Sequence, residues 1–423
     1  SKGNTRITIE GYIDAFNELL SRSAWPWIVS PVYLFAVINT MPEIMIKDGY
    51  LCFKRRYLQE YDIYKHLNRI KDIPKNLGIS LNYVMMMEKE KGFRYLDAQR
   101  RLFFSMNTNN VILMPGKLGT GKTTTISGAI RLYKEKCPDA KVCMCAPTAR
   151  ASQVMKESSG YPASTIHSLL KLVPYGNDFL GKNETDQLEC DLLIVDEMSM
   201  VDTEIFYLLL RALPNGCQII LCGDPDQIES VGCGSIFRDL LNSQIFCTVT
   251  LKQFMRQDAQ SSIVRNCKKI LEGDPNLDVD EQFFIGRYAS DEEAERALLY
   301  YYPKDEECME HQILSTTKQG KIGTDLLNRT LEGPADAGCL IYHDYVYRVG
   351  DKVIFINNNY KARYCNGDVG VIAEIHNGMT VNLGEDTVEL GEYELDEILP
   401  AEVITVHKSQ GGEYNDVYVM LLE

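Results

Sequence analysis

Short apolar runs alternate with longer amphipathic segments through the middle of this 423-residue chain. Between residues 91 and 245, segments with helical period separate four runs of strand length, which are NVILM, KVCMCA, DLLIVDE and CQIILCGD. Buried strands that alternate with amphipathic helices are typical of a parallel sheet covered by helices on both faces. The pattern therefore predicts an α/β fold for this part of the chain.

The flanking segments carry different patterns. Residues 1–90 place apolar side chains at helical spacing in IEGYIDAFNELLSR and RRYLQEYDIYKHLNRI, which predicts a mostly helical region with a packing or partner-binding role. Residues 246–340 continue the mixed pattern of the centre. Residues 341–400 consist of short strand-like runs separated by Asn-Gly and Gly turns, which predicts a small antiparallel barrel.

Composition narrows the class of protein. Hydrophobic residues at 45% and charged residues at 24% are ordinary for a globular chain with two to four domains. The run AWPWIVSPVYLFAVIN contains prolines and follows no basic leader, so we expect neither a signal peptide nor a membrane span. The 13 cysteines lack zinc spacing, which favours a reducing, cytoplasmic setting. A net charge of −15 excludes a uniformly basic surface but allows a local nucleic-acid channel.

A glycine-rich loop follows the first apolar run. Its sequence GKLGTGKT fits the phosphate-binding pattern G-x-x-x-x-G-K-[ST] at every fixed position, between a predicted strand and a predicted helix. The N–H groups of such a loop surround phosphate oxygens, so we expect Lys122 to reach the β- and γ-phosphates and the Thr123 hydroxyl to ligate Mg²⁺. The candidate nucleotide-binding residues of this P-loop are Gly116, Gly119, Thr120, Gly121, Lys122, Thr123 and Thr124. Kinases, GTPases, transporters and motor ATPases all use such a loop.

Two later strand ends carry candidate groups for hydrolysis. The run LLIVDEMSM ends at Asp196 and Glu197, and carboxyl ends of parallel strands meet beside a P-loop. Asp196 can hold Mg²⁺ through water, and Glu197 can orient and deprotonate an attacking water, which small-molecule kinases do not require. In IILCGDPDQ, Gln227 follows the next strand within one turn, where its amide can detect the γ-phosphate.

Three further stretches place small polar side chains near strand or helix ends. They are CAPTARAS, STIHSLL and VITVHKSQGGEY. Hydroxyl and amide groups in such places suit contacts with the phosphate–sugar backbone of a single strand. Taken alone, His167 and His407 are more often structural than functional, so only the ordered set carries the argument.

The ordered set resembles the superfamily 1 helicases, and within them the RecD-like, 5′-to-3′ DNA helicases, over about residues 96–420. The motifs that carry the resemblance are GTGKTT, APTARA, TIHSLL, VDEMSMVD, GDPDQIESVGCG, FMRQ and ITVHKSQGGEY. The resemblance implies two RecA-like P-loop lobes with parallel sheets, ATP in the cleft between them and a single strand across both. The implied parts are a first lobe at 91–245 with a short strand-splitting insertion at 171–189, a second lobe at 246–340 and 401–423, and an SH3-like β-barrel insertion at 341–400.

The resemblance also implies roles for individual residues. Gln99 corresponds to the glutamine that reads adenine, Arg256 to an arginine finger from the second lobe, and Gly411 and Glu413 to nucleotide contacts. The residues that match DNA-backbone contacts are Pro147, Thr148, Thr165, His167, Thr405, His407 and Ser409. The implied catalytic set is Lys122, Glu197, Gln227 and Arg256.

The implied function is ATP-dependent, Mg²⁺-dependent unwinding by an enzyme that moves 5′ to 3′ on single-stranded DNA and acts on 5′-tailed duplexes. Protein partners are expected at the N-terminal region. The family's final Thr-Arg-Ala motif is not found before Glu423, so we expect both ends to be cut and residues 1–423 to hydrolyse ATP slowly. A nucleic-acid-stimulated translocase that leaves duplexes intact, and an enzyme acting on RNA, remain open. A kinase would need neither Gln227 nor the VHKSQG stretch.

Overall fold

The computed structural model describes most of the chain as two compact units. The described residues are 5–22, 30–117, 119–176, 178–252, 261–302, 308–332, 338–357, 359, 362, 364, 366–384, 386–412 and 414–421. The first unit comprises residues 1–147 and 155–255, and the second comprises residues 148–154 and 256–423. None of the helices in the described residues combines the length and the apolar character needed to cross a membrane.

The N-terminal region of the first unit combines helices with a small antiparallel sheet. Its elements are β1 (Arg6–Thr8), α1 (Ile9–Arg22), α2 (Pro31–Ile38), β2 (Ile44–Lys47), β3 (Tyr50–Phe53), α3 (Lys54–Lys71) and α4 (Leu81–Lys91). Strand β3 pairs with both β1 and β2. The sequence pattern predicted a mostly helical region and did not identify these strands, because strands of three or four residues are too short for an alternating pattern to stand out.

A six-stranded parallel sheet forms the centre of the first unit. The elements are α5 (Asp97–Ser105), β4 (Val111–Pro115), α6 (Lys122–Lys136), β5 (Val142–Ala146), α7 (Ala149–Ser159), β6 (Ser164–Thr165), α8 (Ile166–Leu170), β7 (Val173–Tyr175), β8 (Asp178–Leu180), β9 (Leu192–Val195), α9 (Thr203–Arg211), β10 (Gln218–Gly223), α10 (Ile236–Ser243) and β11 (Cys247–Thr248). The strand order is β11-β4-β10-β9-β5-β6. Strands β7 and β8 form a separate antiparallel hairpin.

Helices cover both faces of this sheet, as the apolar runs predicted. Every residue of β4, β9 and β10 is buried. Alternate residues of one strand enter different cores, since Leu113 packs with α3 residues such as Ile63, whereas Ile112 packs with α5 and α6 residues such as Phe103 and Ile130. Burial on both faces explains why these strands read as continuous apolar runs.

The second unit contains a parallel sheet and a larger antiparallel sheet. Its elements are α11 (Ser262–Glu272), α12 (Asp291–Tyr301), β12 (His311–Ser315), α13 (Thr324–Leu331), β13 (Leu340–Tyr342), β14 (Tyr345–Tyr347), β15 (Lys352–Phe355), β16 (Val369–Ile375), β17 (Gly378–Leu383), β18 (Asp386–Gly391), β19 (Ile398–Pro400), β20 (Val403–Thr405) and β21 (Asp416–Met420). Strand β12 pairs in parallel with β20 and β21.

The antiparallel sheet follows the order β18-β17-β16-β15-β19 and has its own hydrophobic core. Val353, Phe355, Ile372, Val381 and Leu390 all lie in that core. The turn-rich pattern of residues 341–400 therefore correctly predicted antiparallel strands. The identification of this sheet as an SH3-like barrel, and the domain boundaries inferred from the sequence, stay predictions.

Candidate nucleotide and nucleic-acid site

The candidate residues of the first unit lie along one edge of its parallel sheet. The P-loop follows β4, Gln227 follows β10, and Asp196 and Glu197 follow β9. Pro147 follows β5, and Thr165 ends β6. These strands are consecutive neighbours in the sheet, so one row of carboxyl ends carries all of these residues. Parallel α/β sheets bind their ligands at that edge.

The P-loop is fixed to the neighbouring strand and closed by its own lysine. The Gly116 N–H donates to the carbonyl of Gly223 at 3.0 Å. The Lys122 Nζ atom donates to the carbonyl of Gly116, also at 3.0 Å. A Cβ atom on Gly116 would lie 2.8 Å from Thr120 Oγ1, so a larger residue would displace this hydroxyl from its hydrogen bond to the Lys117 carbonyl. The backbone of the P-loop thus holds the Lys122 ammonium group in place.

Two glycines in the left-handed region shape the end of the loop. Gly119 has a φ of 76° and Gly121 a φ of 80°, which other residues adopt only at a cost. Gly121 is the N-cap of α6, and Thr123 and Thr124 lie half-buried in the first turn of that helix. The N–H groups of this helix start are suited to bind phosphate oxygens.

Gln99 is buried behind the P-loop, and the nitrogen and oxygen atoms of its amide both form hydrogen bonds. Its Nε2 donates to the Gly121 carbonyl at 3.3 Å, and its Oε1 accepts from the Leu96 N–H at 2.9 Å. The side chain therefore ties α5 to the P-loop. Its implied role in reading adenine stays a prediction.

Glu197 is held in a conformation and an environment that are unusual for a carboxylate. It has a positive φ of 53°, and its N–H donates to Asp196 Oδ1 at 2.9 Å. Its Oε2 atom is buried and makes no hydrogen bond within the described residues. Burial first, and the Asp196 charge second, raise the pKa of Glu197 to about 7, while Lys122 opposes the shift. A basic carboxylate with a free acceptor atom is suited to take a proton from water.

Hydrogen bonds and an ion pair join the three loops that carry these groups. Ser199 Oγ, two residues after Glu197, donates to Gln227 Oε1 at 3.3 Å. Lys117 of the P-loop pairs with Asp226 at 2.9 Å between its Nζ and the Oδ2 atom. Sequence reasoning missed Ser199, Lys117 and Asp226 as connecting residues. All three are adjacent to recognised motif positions, but their pairing depends on how neighbouring strands are ordered.

In the first unit, the residues assigned to DNA contacts also have local structural roles. Strands β5 and β6 pair Ala146 with Thr165, which brings the ends of these strands together. Thr165 caps α8 by accepting from the Ser168 N–H at 3.0 Å. The His167 ring packs edge-to-face on Phe179 of the hairpin, with 6.0 Å between ring centroids. Burial lowers the pKa of His167, so the imidazole is neutral at pH 7.

Thr148 likewise caps the helix that it precedes. Its Oγ1 accepts from the Ala151 N–H at 3.2 Å, and its carbonyl accepts from the Ser152 N–H at 3.1 Å. The hydroxyl is half-buried, as is Pro147 before it.

The second unit carries a comparable set at the carboxyl edge of its own parallel sheet. Thr405 ends β20 beside Ser315 of β12, and its carbonyl accepts from the Ser409 N–H at 3.1 Å. His407 is exposed. Burial first, and the nearby Lys318 second, lower the pKa of Lys408.

The remaining resemblance-derived residues are only partly described. Gly411 has a φ of 78° in the turn that follows Ser409. Arg256 and Glu413 lie outside the described residues, so their implied roles stay predictions.

Comparison with known proteins identifies related sequences. A family model for the AAA domain matches residues 94–285. A relative from Deinococcus radiodurans, described as an ATP-dependent RecD2 DNA helicase, is 31% identical over 319 residues, which are 74% of this chain and 43% of the relative. A relative from Mycolicibacterium smegmatis, described as RecBCD enzyme subunit RecD, is 24% identical over 356 residues, which are 74% of this chain and 64% of the relative. The chain thus spans less than two thirds of either relative.

Solved structures with the same fold are also found. A structure of two coordinating Pif1 helicases at forked double-stranded DNA aligns with a TM-score of 0.50 and 20% identity, and it covers 77% of this chain and 85% of that one. This likeness concerns the fold alone. The family model, the relatives and the motif order make the chain similar to the RecD-like group of superfamily 1 helicases.

Proposed function

We propose that this chain hydrolyses ATP to move 5′ to 3′ along single-stranded DNA and to unwind duplex DNA ahead of it. The observation that carries the proposal is the row of groups at the carboxyl edge of the first sheet. There, the P-loop, the Asp196–Glu197 pair and Gln227 follow three adjacent strands. The names of its relatives, an ATP-dependent RecD2 DNA helicase and RecD subunits, support the same activity.

Each of these groups has a defined task in hydrolysis. Lys122 and the N–H groups at the start of α6 neutralise the β- and γ-phosphates. Glu197 orients a water molecule and accepts its proton through the unpartnered Oε2 atom. Gln227 detects the γ-phosphate, and the Ser199 hydroxyl holds its amide toward the β9 loop. Because this contact joins two loops, loss of the γ-phosphate at Gln227 can be transmitted to the loop of Glu197.

The first unit also fits a nucleotide-bound Mg²⁺ ion. In the part of the chain that the structure describes, no cluster of three His, Cys, Asp or Glu side chains could hold a metal alone. Magnesium does not require one, because it keeps several waters and binds through one or two protein oxygens plus phosphates. Thr123 and Asp196 would supply those oxygens. The ion, when bound, would neutralise charge on the phosphates.

We assign the tracked strand to the carboxyl edges of both parallel sheets. In the first unit the proposed contacts are Pro147, Thr165 and His167. In the second unit, which includes residues 148–154, they are Thr148, Thr405, His407 and Ser409. The buried cysteines Cys145, Cys190, Cys217 and Cys222 form no disulfide, which supports a reducing, cytoplasmic setting.

Strand displacement by the parent chain and by Glu197→Gln tests the proposal. ATP turnover would be measured with and without single-stranded DNA, and unwinding with blunt, 5′-tailed and 3′-tailed duplexes. We expect that single-stranded DNA stimulates ATP turnover and that the parent chain unwinds only the 5′-tailed duplex. The Glu197→Gln variant should lose both activities but still bind ATP.

Other outcomes would change the assignment. Preferential unwinding of 3′-tailed duplexes would reverse the polarity. Stimulated turnover without strand separation would indicate a translocase, and stimulation by RNA alone would change the substrate. Turnover that is independent of any nucleic acid would reject the proposal.

A further inference from the structure

The N-terminal region carries exposed tyrosines that are paired with basic side chains. The Lys47 ammonium lies 4.6 Å from the centre of the Tyr57 ring, and the Lys65 ammonium lies 4.5 Å from that of Tyr61. Tyr61 is 48% exposed and Tyr64 is 58% exposed. Lys65 and Tyr61 form an exposed cation–π pair, whereas Tyr57 is half-buried and its hydroxyl accepts a hydrogen bond from Lys47.

These residues form one continuous face of α3. With 3.6 residues per turn, Lys54, Tyr57, Tyr61, Tyr64 and Lys65 lie on the side of the helix opposite the buried Ile63, Leu67 and Ile70. The distance along the helix axis from the first to the last of the five is about 16 Å. We call these five residues, together with Lys47 of β2, the Tyr/Lys face.

Helix α3 begins at the ligand-binding edge of the first sheet. Arg55 and Arg56 pair with Glu204 in the first turn of α9, whereas Arg69 donates to the carbonyls of Leu210 and Leu213 at the end of that helix. The two helices therefore run side by side in the same direction. Because α9 follows the loop of Glu197, the start of α3 lies at the edge that carries the candidate site.

The same end of α3 holds the hairpin of the first unit. Arg55 Nη2 lies 2.6 Å from Oδ1 of Asp178, at the start of β8. This hairpin lies within the insertion at 171–189. The family resemblance implies that this insertion separates the two strands of the duplex. Lys54, the first residue of the Tyr/Lys face, directly precedes Arg55, so the face begins at the end of α3 that contacts the hairpin.

The chemistry of the face fits a single nucleic-acid strand better than a protein. The face carries three basic side chains, Lys47, Lys54 and Lys65, in a chain of net charge −15. Protein interfaces share the preference for tyrosine but are depleted of lysine. Single-strand sites combine basic groups for phosphates with aromatic rings on which bases stack. Lys65 now pairs with Asp62 at 3.3 Å, an exposed contact that a phosphate can replace at little cost.

We propose that the Tyr/Lys face binds the displaced single strand as it leaves the hairpin. Tyr57, Tyr61 and Tyr64 would stack on bases without sequence preference, and Lys47, Lys54 and Lys65 would contact phosphates. Binding of this strand would oppose its re-annealing behind the hairpin. The inference rests on the proposed helicase function, and it adds a second nucleic-acid surface, distinct from the one that holds the tracked strand.

Forked DNA tests the proposal. The affinity of the full chain would be measured for a duplex with a 5′ arm alone and for the same duplex with an added 3′ arm of thymidines, the displaced-strand arm. Three variants would be compared with the parent, namely Tyr61→Ala/Tyr64→Ala, Tyr61→Phe/Tyr64→Phe and the control Tyr300→Ala. Tyr300 is 82% exposed in the second unit and lies outside the face.

We expect the 3′ arm to tighten binding by the parent at least about tenfold, since the stacking of even one base on a tyrosine ring contributes on the order of that factor. The double alanine variant should lose this gain, whereas the phenylalanine variant and Tyr300→Ala should keep it. Turnover stimulated by single-stranded DNA should be unchanged in all three variants. That last measurement separates the two proposals, because absence of stimulation in the parent would reject the helicase function itself.

Three results would overturn the inference while leaving the helicase function standing. The first is a parent that binds both duplexes equally, and the second is an alanine variant that retains the tenfold gain. The third is an alanine variant that loses affinity equally for the duplex with only the 5′ arm, because the face would then bind the tracked strand.

Discussion

Replacing Glu197 with glutamine should stop hydrolysis and, at the same time, stabilise the nucleotide-free protein. The substitution keeps the shape of the side chain but removes both the negative charge and the ability to accept a proton. A positioned general base contributes about 10²- to 10⁴-fold to a rate, so we expect turnover to fall by at least two orders of magnitude. ATP binding should persist, because the P-loop and Lys122 are unchanged.

The stabilisation follows from the electrostatics of the site. Burial and the charges of Asp196 and Asp224 disfavour ionised Glu197, and its pKa rises from 4.5 to about 7 in the folded state. Each pKa unit corresponds to about 1.4 kcal/mol, so the ionised carboxylate lowers the free energy of unfolding by up to about 3 kcal/mol. The buried amide of the variant also lacks a partner, which costs about 1–3 kcal/mol and reduces the expected gain to about 0–2 kcal/mol.

The sign of the pH dependence follows from the direction of the shift. Below the unfolded pKa of 4.5, the carboxyl is protonated in both states and carries no penalty. As pH rises from there to about 7, the unfolded state ionises first, so this group's contribution makes the parent less stable. Glu197→Gln should lack that loss of stability.

Urea unfolding, followed by circular dichroism in EDTA without nucleotide, measures the effect at pH 5 and pH 8. We expect the variant to exceed the parent in stability at pH 8 and the difference to shrink at pH 5. Glu135→Gln, on the exposed side of α6, is the matched control and should change neither stability nor turnover. A variant that turns over like the parent, or that unfolds at lower urea at pH 8, would refute the reasoning.

Three further predictions address the phosphate loop and the nucleic-acid contacts. Lys122→Ala should abolish turnover by removing the phosphate-binding cation, which a coupled ATPase assay measures, whereas Lys117→Ala should retain most of it. Gly116→Ala should weaken ATP binding at least about tenfold, because its Cβ would lie 2.8 Å from Thr120 Oγ1; calorimetry that shows parent affinity would contradict this steric argument. Because Lys408 lies between the proposed DNA contacts His407 and Ser409, Lys408→Ala should lower the slope of log affinity against log salt for single-stranded DNA by about one, and an unchanged slope would show that Lys408 contacts no phosphate.

Local sequence was sufficient to predict a feature when the physical cause of that feature lies within one short segment of the chain. The β4, β9 and β10 runs are apolar throughout because both of their faces are buried, and their length alone separates them from helices. The P-loop was recognisable because its glycines and its lysine act within eight consecutive residues. The short strands of the N-terminal region were missed because nothing within three or four residues distinguishes them from a loop.

For some motif residues, the structure was needed to explain why the sequence has glycine at that position. The stretch SVGCGS was part of the motif set, but its glycines had no stated reason. In the structure, a Cβ on Gly232 would lie 1.9 Å from Asp202 Oδ2, and one on Gly234 would lie 2.0 Å from Thr203 Oγ1. The glycines therefore let this loop pass directly over the start of α9, which the Thr203 N–H fixes by donating to the Cys233 carbonyl at 3.0 Å.

The sequence by itself determined the α/β class, the likeness to RecD-like helicases, the phosphate loop and the order of the site residues, because each of these depends on short segments of contiguous chain. Only the tertiary structure decided which of those segments are neighbours. The strand order β4-β10-β9-β5-β6 differs from chain order, and it is this order that puts Ser199 against Gln227 and Lys117 against Asp226. The raised pKa of Glu197 and the alignment of α3 with α9 have the same origin, since burial and charge depend on residues far apart in the chain.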